Sequence, residues 1–374
     1  MKIIYITNAR IPTDWAHGLQ IMKTCEALVL GGVSLELWTP RKKLFITESP
    51  FSYYDLKTKF PLKRIFTFEW GSLGPIGFFI QTLSFAFGVA VRLPGKNNDS
   101  LVYCRDEIIV ALLSLLGFRN VIWESHSGAW NTWARMAVKH VRQVVVVSNG
   151  LKEFYIAKGV NPEKIFVIPN GIDLSAYEEV DSKENVRSAL GLPQNKKIAL
   201  YVGMLNGWKG AETLLNASDR LPADTMLAVI GGEDEALIAG LSKRYPKVLF
   251  LGFKASKELA RNLASADVLV LSNTAKNAES AHFTSPLKLF AYMASKKPIV
   301  LPDLPAMREI LSDDAAYFVE PDSAEALAHG IEEALNNEVK SEMRTSRAYE
   351  RVKEFTWDAR AKKIIQLIME KSLV

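Results

Sequence analysis

Cysteine is almost absent from this chain of 374 residues: Cys25 and Cys104 are the only two, with no spacing that suggests a metal site. A disulfide framework has no basis, and two buried thiols are expected. No acidic Asp-x-Asp element sits where a divalent ion would bridge phosphate groups, so no metal is expected in the chemistry. After Met1-Lys2 the apolar run is too short for the core of a signal peptide and leads directly into Asn8-Ala9-Arg10. That points to the cytoplasm, or to the inner face of the cell membrane. Internal repeats at solenoid spacing and low-complexity tracts are also missing. The Lys and Arg residues are dispersed and form no nucleic-acid motif, so nucleic acid is not an expected partner. A net charge of +5 and a pI near 8.9 suit an enzyme of anionic substrates or a protein resting on anionic lipid, and equally a protein kept soluble by its charge.

What the chain does have is apolar sequence cut into short runs. With 48% apolar residues it can bury two cores of ordinary size, each of about 100 to 200 residues. Lys2-Ile3-Ile4-Tyr5-Ile6-Thr7 reads as a buried parallel strand because its apolar character is continuous rather than alternating. Strands and helices then alternate, and Pro169-Asn170-Gly171 marks a crossing to a second domain. The expected class is α/β, with a first domain over 1–170, a second over 171–355 and a closing helical segment over 356–374. Four runs in the second domain, at 198–202, 229–232, 248–253 and 266–271, are each closed by small or polar residues. They predict a doubly wound sheet whose ligand site lies at the carboxyl ends of its strands.

Two segments of that domain read as anion sites. The strand 198–202 runs into Gly203-Met204-Leu205-Asn206-Gly207-Trp208-Lys209-Gly210, and a helical pattern follows from Ala211. A strand, a glycine-rich turn with one lysine and a helix are how a parallel α/β unit approaches a phosphate. The second segment is Ser285-Pro286-Leu287-Lys288. Ser285 is expected to cap a helix with Pro286 in its first turn, which leaves the N–H groups of Leu287 and Lys288 pointing out along the helix dipole. A phosphate fits there, with plain capping as the competing reading.

The order of these segments, with Ile-Gly-Gly at 230–232, Phe-Leu-Gly at 250–252, Ala-Asp-Val at 266–268, the run from Ser285 to Ala294, Lys-Pro-Ile-Val at 297–300 and Asp303-Leu304-Pro305, resembles the donor half of the retaining glycosyltransferases of family four. The likeness extends over the first half: Asn8 to Pro12, His17 to Lys23, Tyr103-Cys104-Arg105-Asp106, Trp123-Glu124-Ser125-His126 and Pro169 to Asp173. It implies the GT-B architecture, two facing Rossmann-like domains with a cleft, the first for the acceptor and the second for a nucleotide sugar. It also implies that the last helix returns to the first domain. The implied donor is a UDP- or GDP-linked hexose, used as substrate with no cofactor, and the implied acceptor a saccharide or a polyprenyl-linked lipid in cell-surface polysaccharide or lipopolysaccharide synthesis.

By the same resemblance, Lys209 and His126 are the catalytic candidates, on the leaving diphosphate and the donor sugar. Gly203, Met204, Gly252, Phe253, Thr284, Ser285, Pro286, Leu287, Lys288 and Ala291 are the donor-binding set, with Gly252 and Phe253 as the nucleobase platform. His17, Gly18 and Glu124 are the acceptor-side set. Three positions depart from the family pattern, and at two of them, Phe283 and Ala291, many members carry glutamates. Met204 stands where many carry a basic residue. These departures keep a second reading in play, a sugar-nucleotide-binding partner of an active transferase. An epimerase is less favoured for want of acid and base carboxylates.

One segment carries a separate question. Residues 73–93 are rich in Phe and Ile and come close to the roughly 20 apolar residues that span a bilayer. Gly74, Pro75, Gly77, Gln81 and Gly88 argue against a span. A core helix is expected, with an interfacial helix on anionic membrane as the alternative.

Overall fold

Continuous apolar strands need helices on both faces, and the chain supplies them twice. The computed structural model describes residues 2–93, 100–205, 209–232 and 235–370. They form two units, Met1–Asn170 with Trp357–Val374, and Gly171–Thr356. In the first, β1 (Lys2–Ile6), β2 (Ser34–Pro40), β3 (Leu62–Ile65), β4 (Leu101–Cys104), β5 (Val121–Ser125), β6 (Gln143–Val146) and β7 (Ile165–Val167) pair in parallel in the order β3-β2-β1-β4-β5-β6-β7. The order reverses between β1 and β4, which opens a crevice at the ends of those two strands. Helix Trp357–Glu370 belongs to this unit and packs on helix Ala16–Leu30. Both cysteines are buried.

The second unit holds six strands, two more than the four runs read from sequence: β8 (Lys197–Val202), β9 (Thr225–Ile230), β10 (Val248–Phe250), β11 (Val268–Val270), β12 (Ile299–Pro302) and β13 (Tyr317–Val319). They pair in parallel in the order β10-β9-β8-β11-β12-β13, with the reversal between β8 and β11. Successive residues of β8 serve opposite layers, as the two-residue period requires. Ile198 and Leu200 join a core with helix Leu287–Ala294, while Ala199 and Tyr201 join one with Leu214, Leu327 and Ile331.

The segment expected to be a core helix is only half of one. Helix Gly74–Ala90 buries Gly77, Gln81, Thr82, Phe85, Ala86, Gly88 and Val89, while Ile76, Phe78 and Phe87 are exposed. Gly88 sits so close to β3 that an added Cβ would lie 2.8 Å from Ile65 Cγ2.

Candidate functional site

In the second unit the loops that leave β8, β9, β10 and β11 converge at the point of strand reversal. Gly203, after β8, donates its N–H to Ile230 O at 2.8 Å, and Gly231 donates to Gly252 O at 2.9 Å. An added Cβ at Gly231, where φ is +137°, would stand 2.1 Å from Gly203 O, so only glycine lets these loops meet. Ser272, after β11, donates its hydroxyl to Lys209 O at 2.8 Å, which fixes the lysine turn over the crevice. Gly210 takes φ +69°, and a Cβ there would meet Ser272 O at 1.6 Å.

Two ammonium groups gather at this point. Burial lowers the Lys209 pKa to about 8. Burial and the neighbouring Lys209 charge hold Lys288 well below the ordinary lysine range. Lys288 Nζ lies 4.2 Å from the centre of the Tyr201 ring and donates to Tyr201 Oη at 3.2 Å. Tyr201 in turn donates to Met204 O at 3.0 Å. Two cations held partly desolvated, with glycine backbone beside them, form a place where an anion relieves their mutual repulsion.

Helix Leu287–Ala294 begins differently from the sequence expectation. Pro286, not Ser285, is the N-cap residue, and no side chain caps the helix. Proline suits the position because a cap residue's own N–H makes no helical bond, and its φ of −74° is one the ring allows. Leu287 and Lys288 therefore occupy the first two helical positions, whose N–H groups have no partner within the helix. Thr284 is half-buried before them and Ser285 is buried. Ala291, expected to face a ribose, is 0% exposed and packs within the core. Phe253 is exposed beside Gly252, whose φ is +69°. Trp208, with Asn206 and Gly207, lies outside the described residues.

In the first unit β5 delivers Glu124 and His126 to the strand ends. Glu124 is 0% exposed, so it is not an acceptor contact but a support. Its Oε1 accepts from His126 Nε2 at 2.5 Å, Arg360 Nη2 at 2.5 Å and Gln20 Nε2 at 2.9 Å. Burial alone would raise this carboxyl, but Arg360, His126 and Arg105 outweigh it and hold the group ionised. Burial and Arg105 lower His126 to about 4, against the pull of Glu124, so the imidazole is neutral near pH 7. With Nε2 donating to Glu124, Nδ1 is left as an acceptor. Arg105 Nη1 donates to Gln20 Oε1 at 2.6 Å and so orients the amide that serves Glu124.

His17 and Gly18 open helix Ala16–Leu30, as expected. His17 is lowered to about 4 by burial and by Arg105. The close approach at Gly18 is made by the protein itself, since a Cβ there would meet Tyr54 Oη at 2.1 Å. Tyr54 clamps the preceding loop, donating to Thr13 O at 2.7 Å and accepting from Thr13 N at 2.8 Å.

Sequence reasoning missed Gln20, Tyr201, Ser272 and Arg360. Arg360 had a legible signal: it interrupts the buried stripe Trp357, Ala361, Ile364 and Ile368 of an amphipathic helix, where a charge needs a buried partner.

Known proteins share this layout. Residues 182–351 match the family model described as "Glycosyl transferases group 1", and residues 100–176 the one described as "Glycosyltransferase Family 4". The fold is similar to a sucrose-phosphate synthase of Thermosynechococcus elongatus over 100% of this chain and 99% of the other, with a TM-score of 0.78 at 20% identity. It is similar to HepE of Anabaena, solved in complex with UDP and glucose, over 99% and 100% of the two chains, with a TM-score of 0.78 at 18% identity. The architecture is therefore GT-B. Among curated proteins, an uncharacterized glycosyltransferase of Methanocaldococcus jannaschii is 29% identical over 60% of this chain and 59% of its own length. A phosphatidyl-myo-inositol mannosyltransferase of Mycobacterium leprae is 28% identical over 54% and 52%. The matches thus span between half and three fifths of those relatives. The group 1 match falls within the second unit and the Family 4 match mostly within the first.

Proposed function

We propose that the protein is a glycosyltransferase that moves a hexose, with retention, from a UDP- or GDP-sugar to a saccharide or lipid-linked acceptor in cell-surface polysaccharide or glycolipid synthesis. The observation that carries this reading is the pairing of Lys209 and Lys288 beside Gly203 at the reversal point of the second sheet. The domain match over 182–351 and the UDP complex of the structural relative support it.

In the proposed reaction the bond from the anomeric carbon to the diphosphate breaks, and the acceptor oxygen bonds to that carbon on the same face. The acceptor's proton passes to the departing phosphate oxygen. Negative charge grows on the diphosphate, and the two lysines with the N–H groups of Leu287 and Lys288 stabilise it, each such group contributing about 3 to 4 kcal/mol by analogy with oxyanion donors. Positive protein groups thereby take the place of a divalent ion. His126 Nδ1 would accept from a hydroxyl of the donor sugar, held in orientation by Glu124. A nucleotide-sugar donor would place the reaction in the cytoplasm, and a lipid-linked acceptor would add peripheral membrane contact.

Release of nucleoside diphosphate from a panel of UDP- and GDP-sugars, with and without Lys209→Ala, tests the reading. Slow hydrolysis of one donor that falls at least about tenfold in the variant is expected. Binding of a donor without any turnover would instead mark a sugar-nucleotide-binding partner, the reading that Met204 favours.

A further inference from the structure

All seven strands of the first sheet are parallel, so the loops that follow them share one edge. Arg10 lies there after β1, Arg41-Lys42-Lys43 and Phe45 after β2, Phe66, Phe68 and Trp70 after β3, and His126 after β5. Exposed apolar side chains on a protein are normally scattered singly. Here they are contiguous. Phe66 meets Phe68 edge to face at 5.3 Å, Phe68 stacks on Trp70 at 5.5 Å, and the three are 47% to 48% exposed.

The patch continues through Leu73 into helix Gly74–Ala90. Ile76, Ile80, Leu83 and Phe87 follow at spacings of four, three and four, which puts them on one face, and none is buried. The helix carries no charged residue over a length of about 25 Å. Its basic surroundings complete the picture. From β3 onward, residues 62–93 hold Lys63, Arg64 and Arg92 against the single acid Glu69, with Lys63 paired to Glu36 of β2 at 2.8 Å. Glu69 is neutralised, accepting from Arg10 Nη2 at 3.3 Å and from the Lys43 amide at 2.9 Å.

An occupant of this surface must be apolar beneath and anionic above, which is the interface of a bilayer of acidic lipids. Gly71–Ala90 is long and apolar enough to cross a membrane by length and composition. Its opposite face is built into the sheet, with Phe85 and Val89 fully buried, so it lies along the surface. We infer that the aromatic edge of the first unit, with the exposed face of helix Gly74–Ala90 and the cations Arg41, Lys43 and Arg64, docks on an anionic lipid surface. A lipid-borne acceptor would then arrive at the edge that carries His126. Only that last link rests on the proposed transfer reaction.

The test is sedimentation of the full chain with vesicles of phosphatidylglycerol and phosphatidylcholine, against phosphatidylcholine alone. Binding to the anionic vesicles is expected, and salt of about 0.5 M should weaken it. The double change Phe68→Ser with Trp70→Ser should reduce binding by about tenfold or more, and so should Arg41→Glu with Lys43→Glu, with thermal unfolding unchanged. Equal binding of the native chain and both variants, or none by the native chain, overturns the inference. So does a native dimer that the aromatic variant makes monomeric without any vesicle binding, since the occupant is then a second copy. If a variant fails to fold, quenching of the native tryptophan emission by shallowly brominated lipid decides, and no quenching overturns the inference. Hydrolysis of a free nucleotide sugar, measured on the same samples, reports on the proposed reaction separately.

Discussion

Arg360 lies 236 positions after Glu124 in sequence, yet its guanidinium is the cation that keeps that carboxylate ionised, and it also donates to Ile168 O at 2.5 Å and Pro169 O at 2.7 Å. Arg360→Met should destabilise the protein by about 3 to 5 kcal/mol, because a buried carboxylate loses its main partner, and Arg360→Lys should cost less. Chemical denaturation measures both. In nitrogen NMR the native His126 should stay neutral with its proton on Nε2 from pH 5.5 upward, titrating only near pH 4, and the Met variant should lose that fixed tautomer. The lysines give a prediction of opposite sense in pH. Since Lys209 is lowered to about 8, it is charged in the free protein below that pH, and above it a diphosphate must draw in a proton to bind. UDP or GDP affinity should therefore fall by up to about tenfold per unit above pH 8, and Lys209→Gln should flatten that part of the slope. Calorimetric titration in buffers of different ionisation heat would also detect the proton taken up.

At the scale of elements, glycine decides how closely the strand-end loops approach, and two positions with the same φ of +69° separate crowding from backbone preference. Gly252→Ala meets nothing within 4 Å and should cost only the left-handed penalty, about 1 to 2 kcal/mol. Gly210→Ala drives a Cβ onto Ser272 O and should cost clearly more, as well as displacing Lys209. Urea unfolding orders the two variants, and equal losses would mean that the lysine turn relaxes freely. Helix Gly74–Ala90 shows the limit of hydropathy at this scale: its composition fits a core helix, an interfacial helix or a span, and only its packing on β3 distinguishes them.

For the whole molecule, the chain leaves the first unit at Asn170 and re-enters it at Trp357. The first unit is thus completed only by residues that follow the second in sequence. A chain ending at residue 356 should lose Arg360 along with the packing of Trp357, Ile364 and Ile368, and its first unit should be destabilised more than by Arg360→Met alone. The second unit, whose strands and both cores come from 171–356, should keep its hydrogen-exchange protection in that shortened chain. Nucleoside diphosphate at about 100 times its Kd should add about 2.7 kcal/mol to the stability of the unit that binds it. Exchange protection gained at Gly203, Lys209 and Lys288, rather than around His126, would locate that unit as the second.

The sequence by itself determined the α/β class, the crossing at Pro169-Asn170-Gly171 and the strand, glycine turn and lysine order around Lys209. These are local: continuous apolar runs, turn residues and spacing are written within a few positions of each other. The fifth and sixth strands of the second sheet, β12 and β13, were not counted. The cap at Pro286 in place of Ser285, the closure of Ala291, the Tyr54 hydroxyl against Gly18 and the burial of Glu124 were decided only by tertiary structure. Each depends on which face of an element turns inward, or on a partner far along the chain, and a sequence pattern fixes neither the neighbour nor the distance to it.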